Sequence, residues 1–186
     1  LEDNDEAGHD DAAQLAVGAG DCIVGITASG RTPYVLGAID YARDQGALTI
    51  GLACNAGTPL AKQVDIMIAP LVGPEVISGS TRLKAGTAQK MVLNMLSTGA
   101  MILMGKTYSN LMVDVQATNH KLRERAVTIV RQATGADYDT ASALLQEADG
   151  EVKTAIVAVK MQITPDLARE RLAAHRHNLR ATLEAE

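Results

Sequence analysis

Short apolar runs separated by amphipathic stretches organise the first part of the chain. Residues 21–27, 48–53 and 65–69 are mostly apolar and of strand length, a pattern typical of parallel strands covered on both faces. Between the first two, residues 34–45 predict an amphipathic helix, and a short helical connector at 60–64 precedes the third. Strand, helix, strand, connector and strand predict crossover connections, and therefore an α/β fold with a parallel sheet flanked by helices.

Two further helices are predicted beside this sheet. Residues 10–17 predict a helix with Leu15 and Val17 facing inward, ended by glycines. Residues 84–106 predict a long helix that carries almost no charge after Lys90. Because it is apolar nearly all round, we expect it in the core or in a subunit interface. Its apolar run is too short, and too often interrupted by polar side chains, to cross a bilayer.

The last third of the chain predicts only helices. Residues 121–134 form a charged amphipathic pattern, and residues 136–186 predict three short helices. We therefore predict two domains, a sheet domain over 1–120 and a small helical bundle over 121–186.

Composition narrows the class of protein. Of the 186 residues 47% are hydrophobic, with no Phe, no Trp and four Tyr, so the chain can bury a sizeable aliphatic core. The net charge of −5 and the lack of a basic stripe argue against nucleic-acid binding. No signal-peptide pattern stands at the start, and we expect a cytoplasmic protein that needs no membrane.

Cysteine and histidine usage argues against a metal centre. Cys22 and Cys54 lie in apolar runs, and we expect both to be buried, without a disulfide. His175 and His177 fall on a basic, solvated helix face with no third ligand nearby in sequence. We expect neither a metal nor any other cofactor.

The candidate chemistry begins in a turn before the long helix. Ser78, Ser80 and Thr81 supply hydroxyls, and the cations Arg82 and Lys84 follow. Cations in a first helical turn oppose the helix dipole, so this turn predicts an anion, most simply a phosphate. The alternative is an ordinary helix cap by Ser80 or Thr81, which explains the hydroxyls but not the cations.

A second polar loop follows the first predicted strand. It contains Ser29, Gly30, Arg31 and Thr32, with Thr32 as the expected cap of the next helix. Both polar loops follow the carboxyl ends of strands in one parallel sheet, where ligands bind. Together they predict a site for a phosphorylated small molecule. The alternative for this loop alone is a plain strand-to-helix turn.

Three stretches resemble the family of sugar isomerase (SIS) domain proteins that includes the bacterial N-acetylmuramic acid 6-phosphate etherases and the glucokinase regulatory protein. They read VGITASGRTPYVLGAIDYAR, GPEVISGSTRLKAGTAQK and KMVLNMLSTGAMILMGKTYSNLMVDVQATNHKL. The resemblance implies a SIS fold with a small ubiquitin-associated-like helical element, a homodimer, no metal, and a phosphorylated amino sugar as ligand. It also implies cleavage of a D-lactyl ether to N-acetylglucosamine 6-phosphate and lactate, in cell-wall sugar recycling.

Two carboxylates are candidates for the site, the first from the resemblance and the second from its place just ahead of the turn that contains Ser78. The family's acidic segment E-D-x-x-E-[GA]-G matches residues 2–8 and makes Glu2 the catalytic acid/base, where residues alone indicate a solvated acidic terminus. Glu75 would contact sugar hydroxyls or a partner subunit. The family's other phosphate loop and second catalytic carboxylate have no counterpart here, so we expect a truncated form with little activity alone. A sugar-phosphate isomerase and a non-catalytic phosphosugar-binding regulator remain alternatives.

Overall fold

Three short parallel strands form the centre of the first of two compact units, residues 1–95 and 96–186. The computed structural model describes residues 1–115, 117 and 119–185. The strands are β1 (Cys22–Ile26), β2 (Leu48–Leu52) and β3 (Ile66–Ile68). They lie in the order β1-β2-β3 and both pairs are parallel, which confirms the predicted sheet.

Helix α2 (Pro33–Asp44) and a single 3-10 turn (Leu60–Lys62) pack against this sheet. Helix α1 (Asp5–Gln14) packs on α2, and α3 (Lys84–Leu103) begins beside Cys54, whose thiol donates to the carbonyl of Ala85. Gly25 of β1 lets the side chains of Val35 and Ile39 on α2 approach the strand. Ile39 is completely buried and packs with Ala53 and Leu60. The predicted helices 34–45 and 84–106 are therefore confirmed, with ends shifted by one to three residues.

The first helix departs from its prediction. Asn4 accepts a hydrogen bond from the N–H of Ala7, so α1 begins at Asp5, well before the predicted residue 10. Because the helix ends at Gln14, Leu15 lies beyond it and is 77% exposed, contrary to prediction. Val17 is buried beside Ala42 and Ala47, as expected.

Helix α3 is far more exposed in this chain than its sequence predicts. Of its twenty residues only Ala85 is buried. The large apolar side chains on α3 and just after it that stand in solvent are Met91, Met95, Ile102, Leu103 and Met104. The predicted position in the core of this chain is therefore wrong, while a subunit interface stays a prediction.

Both cysteines are free, but only one is buried. Cys54 follows the central strand and is 7% exposed, whereas Cys22 opens the edge strand β1 and is exposed. The prediction of burial is thus wrong for Cys22, because an edge strand leaves its first residue open to solvent.

The second unit is a small hairpin followed by helices. The hairpin pairs β4 (Thr107–Tyr108) with β5 (Leu111–Met112) in antiparallel fashion. The helices are α4 (His120–Thr134), α5 (Tyr138–Glu147), α6 (Val152–Met161), α7 (Pro165–Ala174) and α8 (Leu179–Glu184).

Helix α6 is central to this helical unit. It contributes Val152, Ala155, Ile156, Val157 and Ala158 to the buried cluster. The helical C-terminal part is confirmed, although four helices, not three, follow residue 136. The domain boundary predicted at 120/121 falls at the start of α4, inside this unit.

Membrane-spanning helices and metal-ligand clusters are both absent from the part of the chain that the structure describes. Within the described ranges, no helix combines the length and the apolar character needed to cross a membrane. No group of three or more His, Cys, Asp and Glu side chains in the same ranges could hold a metal ion.

Candidate functional site

The loops that follow the three parallel strands meet at one end of the sheet. Cys54, just after β2, links the other two. Its N–H donates to the carbonyl of Ala28 at 3.0 Å, and its thiol donates to the carbonyl of Ala85 at 3.7 Å. Ala28 follows β1 and Ala85 lies in the first turn of α3, so both predicted polar turns adjoin the same residue.

Three hydroxyls lie together in the loop after β1. The Thr27 Oγ1 atom is 2.7 Å from Thr32 Oγ1 and 3.3 Å from Ser29 Oγ. The N–H of Arg31 donates to Ser29 Oγ at 3.2 Å. Thr32 occupies the N-cap position of α2 but its side chain caps no N–H, because its hydroxyl pairs with Thr27 instead. The predicted side-chain cap by Thr32 is wrong.

Gly30 allows this loop to lie against the loop after β2. Its φ of +71° is in the left-handed region, and a Cβ atom there would come within 2.5 Å of the Thr58 side chain. Thr58 is 2% exposed, and the carbonyl of Gly30 accepts from the N–H of Leu60 at 3.2 Å. The loop is therefore fixed by a contact that only glycine permits.

Several donors in this loop have no partner among the described residues. The backbone N–H groups of Ser29, Gly30 and Thr32 make no hydrogen bond with any part of the chain that the structure describes, and Arg31 makes no ion pair there. An arrangement of free N–H groups, hydroxyls and one cation can bind an anion.

Glu75, not a hydroxyl, caps α3. Its two carboxylate oxygens accept from the N–H groups of Lys84, at 2.9 Å, and Ala85, at 3.0 Å. The predicted alternative of a cap by the Ser80 or Thr81 side chain is wrong. The carboxylate satisfies two of the helix's first donors and supplies negative charge at its positive end.

These hydrogen bonds change the acidity of Glu75. They lower its pKa below the usual 4.5, because the N–H groups of Ala85 and Lys84 stabilise the charged form. The same carboxylate acts on the nearby Cys54 thiol, whose pKa is raised mainly by burial and secondly by the negative charge of Glu75.

The Glu75 cap predicts a titration that can be followed at its two donors. With a folded-state pKa below the unfolded value, the cap is fully formed above pH 4.5 and is lost as the pH falls through the lowered value. In NMR spectra we expect the amide shifts of Lys84 and Ala85 to titrate together with a midpoint below 4.5. A Glu75→Gln variant should abolish this titration.

A second capping carboxylate provides the control. Asp137 caps α5 through the N–H of Thr140 at 2.8 Å, and its pKa is likewise lowered. Asp137→Asn should leave the Lys84 and Ala85 titration intact. Amides that do not titrate, or that titrate above the ordinary glutamate value, would contradict the cap.

The other polar side chains of the turn before α3 have no partner within the described residues. Within the described ranges, the hydroxyls of Ser78, Ser80 and Thr81 form no hydrogen bond and the side chains of Arg82 and Lys84 form no ion pair. Gly79, with φ of +79°, accepts from the N–H of Thr81 at 3.0 Å and shapes the turn. Two cations and three hydroxyls therefore face solvent near the end of the sheet.

Glu2 is tied by its backbone to the start of α2. Its carbonyl accepts from the N–H of Tyr34 at 3.2 Å, two residues after Thr32. Its carboxylate is exposed. The Tyr34 hydroxyl donates to Asp11 at 2.8 Å, which links α1 to α2. The Glu2 backbone thus lies against the first turn of α2, two residues after Thr32.

Sequence reasoning overlooked three residues that build this region, namely Thr27, Cys54 and Thr58. Thr27 and Cys54 look like ordinary apolar-strand residues, and only the strand order shows that they are next to the polar loops. Thr58 precedes Pro59 in a loop with no regular pattern. Of these three, only Thr27 could have been noticed in the sequence, because it is a polar residue at the end of an apolar run and close to Ser29.

Comparison with known proteins identifies the family of this chain. The SIS domain family matches residues 4–99. The N-acetylmuramic acid 6-phosphate etherase of Salmonella typhimurium is 53% identical over 183 residues, covering 98% of this chain and 62% of the relative. The protein of the same name from Rubrobacter xylanophilus is 58% identical over 173 residues, covering 93% of this chain and 58% of the relative.

The chain therefore spans less than two thirds of the length of these curated relatives. The SIS match covers the sheet, both polar loops and most of α3. The chain belongs to the SIS domain family.

Proposed function

We propose that this chain is part of an etherase that cleaves the D-lactyl ether of N-acetylmuramic acid 6-phosphate to N-acetylglucosamine 6-phosphate and D-lactate. The observation that carries the proposal is the position of Cys54, which donates both to Ala28, just before the Ser29–Thr32 loop, and to Ala85, just after the Ser78–Lys84 turn. Identity of 53–58% to relatives named as this etherase supports the choice of reaction.

The two turns would bind the phosphate ester and nearby sugar hydroxyls. Ser29, Gly30 and Thr32 offer N–H groups and hydroxyls, and Arg31 adds positive charge beside them. From the second turn the contributors are Ser78, Ser80, Thr81, Arg82 and Lys84. Charge-assisted hydrogen bonds of this kind are the strong ones, because the ligand is a dianion near neutral pH. Glu75 would reach sugar hydroxyls from its place at the start of α3.

Glu2 would supply the acid/base chemistry. In the open-chain sugar the aldehyde at C1 acidifies the proton on C2. A carboxylate takes that proton, the C3–O bond breaks, and the lactate oxygen leaves with the bonding electrons and takes the proton from the newly formed carboxylic acid. Water then adds across the C2–C3 double bond, its oxygen bonding to C3 while the carboxylate takes a proton from it and delivers that proton to C2. A positioned carboxylate is suited to both proton transfers.

The same proposal covers assembly and location. The apolar side chains that α3 exposes, such as Met91 and Met95, would be covered in a homodimer. An exposed apolar surface of this kind marks an interaction site. We place the protein in the cytoplasm, where sugar phosphates are handled. Since the chain spans 62% of its Salmonella relative, we expect weak activity from these residues alone.

Two measurements on the chain test the proposal. Isothermal titration calorimetry should detect binding of N-acetylglucosamine 6-phosphate, with unphosphorylated N-acetylglucosamine as the matched ligand that does not bind. A coupled D-lactate dehydrogenase assay with N-acetylmuramic acid 6-phosphate measures lactate release. Equal affinity for both sugars would contradict the phosphate site. Phosphosugar binding without any lactate release by a longer protein that contains this chain would favour a non-catalytic regulator.

Replacing Glu2 separates catalysis from binding. We expect Glu2→Gln to reduce the residual lactate release by at least about a hundredfold, within the range of general acid–base catalysis. Affinity for N-acetylglucosamine 6-phosphate should change by less than about twofold, since the amide keeps the size of the side chain. Asp3→Asn, next to it in the exposed N-terminal segment, is the matched control. An equal fall in affinity and rate would make Glu2 a ligand contact, not a base.

A further inference from the structure

Thr27 is a buried hydroxyl held rigidly at the end of β1. Its N–H donates to the carbonyl of Leu52 at 3.0 Å, which continues the β1–β2 pairing. The residue is only 8% exposed, and a β-branched side chain in a strand has little freedom about χ1. Its Oγ1 atom lies 2.7 Å from Thr32 Oγ1 and 3.3 Å from Ser29 Oγ.

The direction of these hydrogen bonds depends on what binds in the loop. Each hydroxyl has one proton to donate but can accept more than one hydrogen bond. Ser29 Oγ already accepts from the N–H of Arg31 at 3.2 Å. A bound anion can only accept, so it draws the protons of Ser29 and Thr32 outward. The Thr32 oxygen must then accept the proton of Thr27.

We propose that Thr27 is a positioning residue, which fixes the Thr32 hydroxyl so that it donates to a phosphate ester. This inference rests on the proposed function, because it concerns the same anion site. Thr27 itself does not touch the ligand. Thr27 donates its single proton to Thr32, and the Arg31 N–H donates to Ser29. The protons of Thr32 and Ser29 are then both left to be donated to the anion.

The test uses the whole chain with inorganic phosphate and N-acetylglucosamine 6-phosphate as probes in titration calorimetry. Thr27→Val keeps the branched shape and removes the hydroxyl. We expect it to lower the affinity for both probes by about tenfold, the value of one hydrogen bond to a charged group. Thr27→Ser keeps the hydroxyl and should bind within about twofold of the unaltered chain. Thr27→Ala gives the same comparison where valine is not accommodated.

A matched control separates stability from binding. Thr182 in the second unit is another buried threonine, with no exposed surface, and its hydroxyl donates to the carbonyl of Asn178 at 2.8 Å. Thr182→Val should leave the affinity for both probes unchanged, whatever it does to the unfolding temperature. If Thr27 acts through Thr32, adding Thr27→Val to Thr32→Val should weaken binding by less than about twofold more.

The outcomes distinguish this inference from the proposed function. If the unaltered chain binds neither probe, the anion site fails and the role of Thr27 fails with it. If the unaltered chain binds and Thr27→Val or Thr27→Ala binds equally well, only the role of Thr27 is overturned. Fully additive losses in the double variant would overturn it too, since they would mean that Thr27 contacts the ligand itself.

Discussion

Gly8→Ala is expected to lower the free energy of unfolding by about 2 kcal/mol, because overpacking against a rigid neighbour costs about 1–3 kcal/mol or more. Gly8 lies on α1 where a Cβ atom would overlap the carbonyl oxygen of Tyr34 on α2. Backbone cannot turn aside as a flexible side chain can. The helix propensity gained by alanine, about 1 kcal/mol, offsets only part of this cost. Chemical denaturation followed by circular dichroism measures the loss.

Gly99→Ala is the matched control, since Gly99 is also helical but a Cβ atom there meets nothing within 4 Å. It should leave stability unchanged or raise it by up to about 1 kcal/mol. Gly37→Ala should resemble Gly8→Ala, because its Cβ atom would overlap the carbonyl oxygen of Asp5 across the same contact. If Gly8→Ala and Gly99→Ala had equal stability, the close packing of α1 on α2 would be refuted.

The α1–α2 contact also matters for the proposed chemistry. It holds the N-terminal segment where the Glu2 carbonyl accepts from the N–H of Tyr34. Gly8 is the last residue of the acidic segment 2–8, and packing explains why it is a glycine. With a larger residue there, α1 could not lie this close to α2. Gly8→Ala should therefore reduce lactate release more than it reduces phosphosugar affinity.

The sequence was sufficient to predict the sheet and its flanking helices. The three apolar runs of the first unit match strands β1, β2 and β3, because both faces of a buried parallel strand require apolar residues. Gly46 and Gly135 mark the ends of α2 and α4, where their φ values are +77° and +81°. Local patterns of this kind carry enough information, since they depend on near neighbours in the chain.

Features set by distant contacts were harder to predict. The cap of α3 comes from Glu75, nine residues before Lys84, outside any local capping pattern. The pairing of Thr27 with Thr32 depends on how the loop folds back over the strand end. The exposure of Met91 and Met95 cannot be read from an apolar pattern, which is the same for a helix buried by its own chain or by another.

Replacing Gly30 should have the largest effect on ligand binding. Alanine at this position must adopt a φ of +71° and place its Cβ atom within 2.5 Å of the buried Thr58 side chain. Strain in the left-handed region costs about 1 kcal/mol or more, and the overlap adds to it. The loop must move, which displaces the N–H groups and hydroxyls of Ser29 and Thr32 together. We expect affinity for N-acetylglucosamine 6-phosphate to fall by at least about a hundredfold, equivalent to two or more lost hydrogen bonds to a charged group.

Gly57→Ala separates backbone strain from steric overlap. Gly57 also has a positive φ, +65°, but a Cβ atom there meets nothing within 4 Å. Gly57→Ala should lower the free energy of unfolding by about 1 kcal/mol. Its affinity for N-acetylglucosamine 6-phosphate should stay within about twofold of that of the unaltered chain. Titration calorimetry on both variants, with unfolding curves measured in parallel, gives the comparison. If Gly30→Ala bound the phosphosugar as tightly as Gly57→Ala, the loop after β1 would not form the site, because an overlap of this size must displace it.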